Sequence, residues 1–238
     1  MALADIIDAI SSEQSNKALA RREAFHNAVA REKTDWETQL AARRDSNQFP
    51  FTMQRPLKEL REIMGREDIL LVGSGNTQGV VKQTYPVYEP RTHITSGSYS
   101  SMGWALPAAL GTKLACPDRK VCVILGDGDF MMSMQEMAVA AMHNIPIIVV
   151  VQNNSGYMAI RSGQRKILGR HAASEFNMGN GGAYSPQFAE IAKSFGIDSW
   201  RVESADKLKP ALGCIFGTDP TGRPATSTRL GRPAGAAY

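Results

Sequence analysis

Residues 121–154 read VCVILGDGDFMMSMQEMAVAAMHNIPIIVVVQNN. Val121 to Leu125 is an unbroken apolar run, closed by Gly126-Asp127-Gly128. Ile145 to Val151 is a second, closed by Asn153-Asn154. Short runs rich in β-branched residues and bounded by turn formers predict buried strands, and Ser133 to His143 between them predicts a helix. A strand–helix–strand unit in one sheet must be parallel. The lengths agree: the helical residues rise about 16 Å, and Ile147 to Gln152 span roughly 20 Å. The chain goes out and comes back, so Asn154 is expected beside Asp127 at the carboxyl edge, where open α/β sheets bind ligands. A carboxylate and an amide oxygen are hard donors that suit Mg²⁺, an ion that usually shares its shell with ligand phosphates. The residues by themselves predict a metal-bridged phosphate cofactor.

The chain around this unit is 238 residues long and 43% hydrophobic, enough for one domain with a sizeable core and appendages. Cys116, Cys122 and Cys214 have no CxxC spacing, which predicts neither a disulfide framework nor a zinc site and points to a reducing, cytoplasmic setting. Asp5 and Asp8 argue against a basic, apolar signal peptide, and no run approaches the ~18 apolar residues of a membrane span. The net charge of +4 comes half from the C-terminal stretch, where Arg223, Arg229 and Arg232 face only Asp219. No basic stripe is interleaved with aromatics, so nucleic acid is not expected as a partner.

Outward from the central unit, Ile69–Gly73 predicts another core strand, running into Gly73-Ser-Gly75-Asn-Thr-Gln-Gly79. Trp104–Ala115 predicts a tightly packed helix with Pro107 in its first turn, where a missing N–H matters little. Arg55–Met64 predicts an amphipathic helix stopped by Gly65. Residues 1–10 predict a short helix with one apolar face. Residues 14–45 predict one or two charged helices whose sparse apolar residues, Leu19, Phe25, Val29, Trp36 and Leu40, lean on something. Past Asn154, a helix is expected at Tyr157–Arg161, then a long loop at 162–184 of the kind that is usually functional. A helix is expected next, capped by Ser185 with Pro186 at its first position, then a strand at Ser199–Val202 and a helix from Lys207. From Gly213 the sequence turns to Gly, Pro, Thr and Arg without apolar period and reads as disordered.

Gly126-Asp127-Gly128, 24 further residues and then Asn153-Asn154, preceded by Ser100-Ser-Met-Gly-Trp-Ala-Leu-Pro-Ala-Ala-Leu-Gly111, resembles the diphosphate-binding domain of thiamine-diphosphate enzymes of the acetolactate synthase/2-oxo-acid decarboxylase group. The resemblance implies an α/β fold, a parallel sheet with helices on both faces, over residues 54–212. It makes 1–53 the end of a middle domain and a helical linker, and 213–238 an atypical tail. It implies thiamine diphosphate and Mg²⁺ as cofactors. Asp127, the Asn154 amide oxygen and the Gly156 carbonyl would be the metal ligands. Gly128 and Asp129 would offer backbone N–H groups to the diphosphate, with Asn76 and Thr77 nearby. Met102 would be the apolar wedge beneath the cofactor, the Ser100 carbonyl would accept from its amino group, and Tyr157 and Met158 would flank its rings. Loop 162–184 would be a lid, with Arg161 and Gln164 as candidate substrate contacts.

In that family the cofactor carries the chemistry and the protein positions it. The substrate would be a 2-oxo acid or a related small molecule. The activating glutamate belongs to a separate pyrimidine-binding domain, usually from a second chain of an oligomer, and no such domain is legible here. The chain is therefore expected to be inactive alone, either as a truncated or frame-shifted fragment, which the linker-like start favours, or as a subunit of a split enzyme. Competing readings are a non-catalytic cofactor-binding or dimerising fragment and, more weakly, a nicotinamide-binding domain opened by Gly73-x-Gly75. Against the latter, the spacing is not GxGxxG and no clear helix follows Gly79. Asp127-Gly-Asp129 lacks the remaining ligands of a calcium loop. His26, His93, His143 and His171 show no metal spacing, and only His171, in the expected lid, invites a test.

Overall fold

The computed structural model describes residues 2–12 and 16–217, and their contacts divide the chain at Asp45–Ser46 into two compact units. In the first, α1 is Ala2–Ser12 and α2 is Asn16–Arg44. The sparse apolar residues of α2 were expected to lean on something, but Leu19, Phe25, Val29 and Trp36 are exposed, and of the five only Leu40 is buried. Near its C-terminal end, Glu37 and Arg44 of α2 are paired at 2.7 Å.

The second unit carries a four-stranded, all-parallel sheet in the order β2-β1-β3-β4. The strands are β1 (Ile69–Val72), β2 (His93–Thr95), β3 (Val121–Gly126) and β4 (Ile148–Gln152). Around it lie α3 (Gln54–Ile63), α4 (Asn76–Thr84), α5 (Ala105–Ala115), α6 (Asp127–Met131), α7 (Met137–Met142), α8 (Met158–Leu168), α9 (Phe188–Ser194) and α10 (Ala205–Phe216). Successive strand residues point to opposite faces, and two apolar clusters follow. Leu70, Val72, Cys122 and Ile124 meet α3, α4 and α10 on one face. Ile69, Leu71, Val121, Val123 and Leu125 meet α5, α7 and α9 on the other. This is the expected α/β architecture. The Cys122 thiol lies in that core, and burial pushes its pKa up, which makes it an inert side chain. No described helix is long and apolar enough to cross a membrane.

Several elements differ from the sequence reading. Helix α4 exists, although none was expected after Gly73-Ser-Gly75. Strand β2 was missed, because three residues of a polar stretch become a strand only by pairing with β1. The expected helix at 133–143 is split by a short 3₁₀ turn at Met134–Glu136. Helix α8 runs two turns past Arg161 and stops at Gly169, whose φ of 66° suits glycine. Gln164 therefore sits on a helix, and the loop is 169–187. Pro186 does not start α9, which begins at Phe188. Helix α10 takes in 213–216, the beginning of the supposed tail, and 218–238 lies outside the described residues. Ser199–Val202 forms no strand among the described residues.

Candidate cofactor site

The parallel register aligns Gly126 with Gln152, so the turns after β3 and β4 emerge side by side at the carboxyl edge. Asp127 is almost fully buried there. Its Oδ1 accepts from the Gly128 N–H at 2.9 Å and its Oδ2 from the Gly156 N–H at 3.2 Å. The nearby backbone N–H groups of Ser155 and Asn154 also favour its charged form, and the Ser155 N–H itself donates to Asn153 Oδ1 at 3.2 Å. Burial pushes the Asp127 pKa up, and these backbone donors oppose the rise. No Lys, Arg or His is ion-paired to it among the described residues. The structure thus brings together Asp127 and the loop of Asn154 and Gly156, and leaves Asn154 exposed.

These residues fit a hard divalent cation: a buried carboxylate with no basic partner, next to an exposed amide and a backbone carbonyl. Among the described residues no group of three or more His, Cys, Asp or Glu is built to hold a metal. One acid supplemented by neutral oxygens is therefore the donor set available.

The Gly128 N–H, expected to face a diphosphate, is engaged by Asp127 in this structure. Asp129 departs further from expectation, since its side chain is the working part. It is buried, its Oδ2 accepting from the Ser74 N–H and its Oδ1 from the Gly103 N–H, both at 2.6 Å. The Ser74 hydroxyl donates to the Ser101 carbonyl at 2.5 Å. One carboxylate therefore clasps the turn after β1 to the Ser-Met-Gly turn that presents Met102, which is half-buried. Gly73 makes room for it, because a Cβ there would lie 2.2 Å from Asp129 Oδ2 and 2.6 Å from Leu125 Cβ. The clasp also answers the dinucleotide reading. Helix α4 does follow Gly75, but Asp129 already fills the anion position over this turn and uses the Ser74 N–H.

Thr77 is buried, its hydroxyl bonded to Gln152 Oε1 at 3.1 Å, so it ties α4 to the end of β4, while Asn76 is exposed at the start of α4. Ser100 has a φ of 47° and bonds through its hydroxyl to Gln78. This strained, left-handed position leads directly into the Met102 turn. Tyr157 packs edge-on against Phe176 at 4.8 Å and leans over Gly128, where a Cβ would sit 2.5 Å from the ring. Gly128→Ala is expected to cost about 1–3 kcal/mol of stability by overpacking, with part recovered in Gly128→Ala/Tyr157→Ala. Urea unfolding of the three chains measures both.

Arg161 and Gln164 are occupied by the loop rather than presented to solvent. Arg161 Nε meets Glu175 Oε1 at 2.9 Å, and the Ala172 N–H donates to Gln164 Oε1 at 3.0 Å. His171 accepts from Arg165 on Nδ1 and lies 3.4 Å from Glu175 through Nε2. The Arg161 guanidinium also reaches Met158 Sδ. Loop 169–187 is thus latched to α8, and Gly156 pairs with Glu175 across it. Gly156 has no room for a side chain, since a Cβ would lie 2.6 Å from the Ser174 carbonyl. The latch and the Asp129 clasp were not read from sequence. Their only local signals were the second acid of Gly-Asp-Gly-Asp and the Arg and His residues of 161–171.

The chain also resembles known proteins over most of its second unit. The family model described as thiamine pyrophosphate enzyme, C-terminal TPP binding domain matches residues 73–225. Similar proteins include a probable acetolactate synthase large subunit of Methanococcus aeolicus, 32% identical over 71% of this chain and 28% of its own length. The acetolactate synthase large subunit of Lactococcus lactis subsp. lactis is 31% identical over 82% of this chain and 34% of its own. A 3D-(3,5/4)-trihydroxycyclohexane-1,2-dione hydrolase of Halalkalibacterium halodurans is 29% identical over 71% and 26%. The chain spans about a quarter to a third of these relatives. From the Asp127 loop, the parallel sheet and this match together, the chain belongs to the C-terminal TPP-binding domain family of the thiamine pyrophosphate enzymes, and that membership implies thiamine diphosphate with Mg²⁺ as its cofactors.

Proposed function

We propose that this chain holds the diphosphate end of thiamine diphosphate through Mg²⁺, as the C-terminal part of an acetolactate-synthase-like enzyme that makes or breaks the C–C bond next to the carbonyl of a 2-oxo acid. The observation that carries this reading is the buried Asp127 carboxylate, ion-paired to no basic side chain among the described residues and gathered against the loop of Asn154 and Gly156. Asp127, the Asn154 amide oxygen and the Gly156 carbonyl would hold the metal. Asn76, Thr77 and the amides of Gly128 and Asp129 would line the diphosphate. Ser100 and Met102 would sit under the rings, and Tyr157 and Met158 beside them. When bound, the cofactor supplies a nucleophilic carbon for the substrate carbonyl and a sink for the electrons left by decarboxylation.

The protein's own part is positioning. The Asp129 clasp holds Met102, and the latched loop 169–187 shields the site from water, with Arg161 and Gln164 released toward substrate if the latch opens. The activating glutamate would come from a pyrimidine-binding domain on a second chain of an oligomer, in a reducing, cytoplasmic setting. Residues 1–53 would be the end of a middle domain and a linker, and 54–212 the cofactor domain.

Calorimetry tests the reading. Thiamine diphosphate should bind saturably with Mg²⁺ present and give no heat with EDTA. Absence of heat in both would end the proposal. Turnover of pyruvate by the chain alone would contradict the role given to a partner glutamate. Binding that persists without turnover when a pyrimidine domain is supplied would favour a non-catalytic fragment.

A further inference from the structure

Between Met158 and Gln187 the sequence carries Arg161, Arg165, Lys166 and Arg170 against a single acid, Glu175. Glu175 Oε1 lies 2.9 Å from Arg161 Nε and 3.4 Å from His171 Nε2. The ion pair with Arg161 is half-buried and poorly aligned. Arg161 Nε is closed off from solvent, yet it donates no hydrogen bond among the described residues even with Glu175 Oε1 so near. Arg161 Nη1 reaches Met158 Sδ at 3.5 Å, and a thioether is a weak acceptor. By contrast, the guanidinium groups of Arg61, Arg119 and Arg201 each hydrogen-bond an oxygen. A guanidinium is a planar fork of five donors that matches a carboxylate through two parallel bonds. Arg161 therefore keeps donors that its neighbours among the described residues do not use.

This guanidinium borders the loop of Asn154 and Gly156. A Cβ on Gly156 would stand 2.9 Å from Met158 Cε and 3.1 Å from Glu175 Cα, and Glu175 pairs with Gly156 through the backbone. The two residues that touch the Arg161 guanidinium thus both touch Gly156.

We propose that Arg161 is the receptor for the carboxylate of a 2-oxo acid, and that Glu175 occupies it in the free chain and yields it to the ligand. The class of ligand rests on the function proposed for this site, whereas the receptor rests on the geometry of Arg161. A ligand carboxylate can meet the fork in its own plane, which Glu175, tied through its backbone to Gly156, does not do here. Once Glu175 turns aside, the charges left on this stretch are those of Arg165, Lys166 and Arg170, so the vacated position attracts an anion.

The probe is oxamate, an unreactive amide with the shape and charge of a 2-oxo acid, with neutral oxamide as control. Each is added to the full-length chain with and without Mg²⁺ and thiamine diphosphate. NMR of the labelled chain follows the Arg161 Nε–H signal and the amides of Met158–Arg161. Oxamate should shift these signals to saturation and oxamide should not. Arg161→Gln should weaken oxamate binding at least about tenfold, through loss of a charge-assisted pair. Glu175→Gln should tighten it at least about fivefold, since a receptor held by its own placeholder is competent only part of the time. The two substitutions break one ion pair, so a pair that is merely structural moves oxamate affinity the same way in both, and that result overturns the proposal. Lys166→Gln, on the exposed side of α8, should leave the affinity within about twofold. A loss there equal to that of Arg161→Gln means diffuse attraction and also overturns it, as does the absence of any shift up to about 100 mM oxamate. Calorimetry of thiamine diphosphate with Mg²⁺ is a separate readout. Its failure alongside Arg161-dependent oxamate binding removes the proposed function and leaves the receptor. Intact cofactor binding with oxamate indifferent to Arg161 does the reverse.

Discussion

Asp127→Ala should weaken Mg²⁺-dependent binding of thiamine diphosphate by more than about 100-fold, since even groups that merely orient a metal ligand are worth about 10- to 100-fold. The side chain holds the one buried negative charge proposed to meet the metal, and Asp129, the buried acid two residues on, is taken up by the N–H groups of Ser74 and Gly103. Asp127→Asn separates charge from shape. It keeps one oxygen for the Gly156 or the Gly128 N–H and turns its amide toward the other, so it should be less stable but still folded, while its metal affinity falls nearly as far. A second readout follows from the raised pKa. Folding raises the Asp127 pKa, so its contribution to stability is full below the ordinary carboxylate pKa and is lost as pH rises through the raised value. Mg²⁺ with thiamine diphosphate stabilises the ionised form. The melting temperature should therefore rise on their addition at neutral pH and rise less in acid, and Asp127→Asn should flatten that difference. Unchanged calorimetric binding in Asp127→Ala would remove the residue from the site.

What the sequence made legible was whatever depends on local pattern and crossover geometry. Val121–Leu125 and Ile148–Val151 are apolar beyond ambiguity, and a parallel return must bring Asn154 back to the edge that carries Asp127. The motif then pointed to the family. What stayed hidden depends on partners distant in the chain. Strand β2 is three residues that are a strand only because β1 lies beside them. Ser199–Val202 has strand composition and no strand partner among the described residues, so the same reasoning that succeeded for β3 failed there. Asn76–Thr84 has Gly79 in its middle and little apolar period, which hid α4. Asp129 is the sharpest case. Its partners Ser74 and Gly103 are 55 and 26 residues away, and no spacing rule connects them.

Asp129→Ala should destabilise the second unit by about 3–5 kcal/mol, the largest loss expected of a single polar substitution here. It strands the buried N–H groups of Ser74 and Gly103, each worth about 1–3 kcal/mol when left unpaired and more when the lost acceptor was charged. Asp129→Asn should lose roughly half as much, because its amide keeps one acceptor and turns a donor toward the other N–H. Gly73→Ala attacks the same clasp from the opposite side, driving a methyl into Asp129 and Leu125, and should cost at least about 1–3 kcal/mol. Since the two substitutions break one contact, their combined effect should fall well short of the sum. Hydrogen exchange distinguishes this from general loosening. In Asp129→Asn, under conditions where the chain stays folded, the amides of Ser74 and Gly103 should exchange faster while those of Ile148–Gln152 do not change. Additive energies, or uniform acceleration across the sheet, would show that Asp129 is merely buried and does not join the β1 turn to the turn bearing Met102.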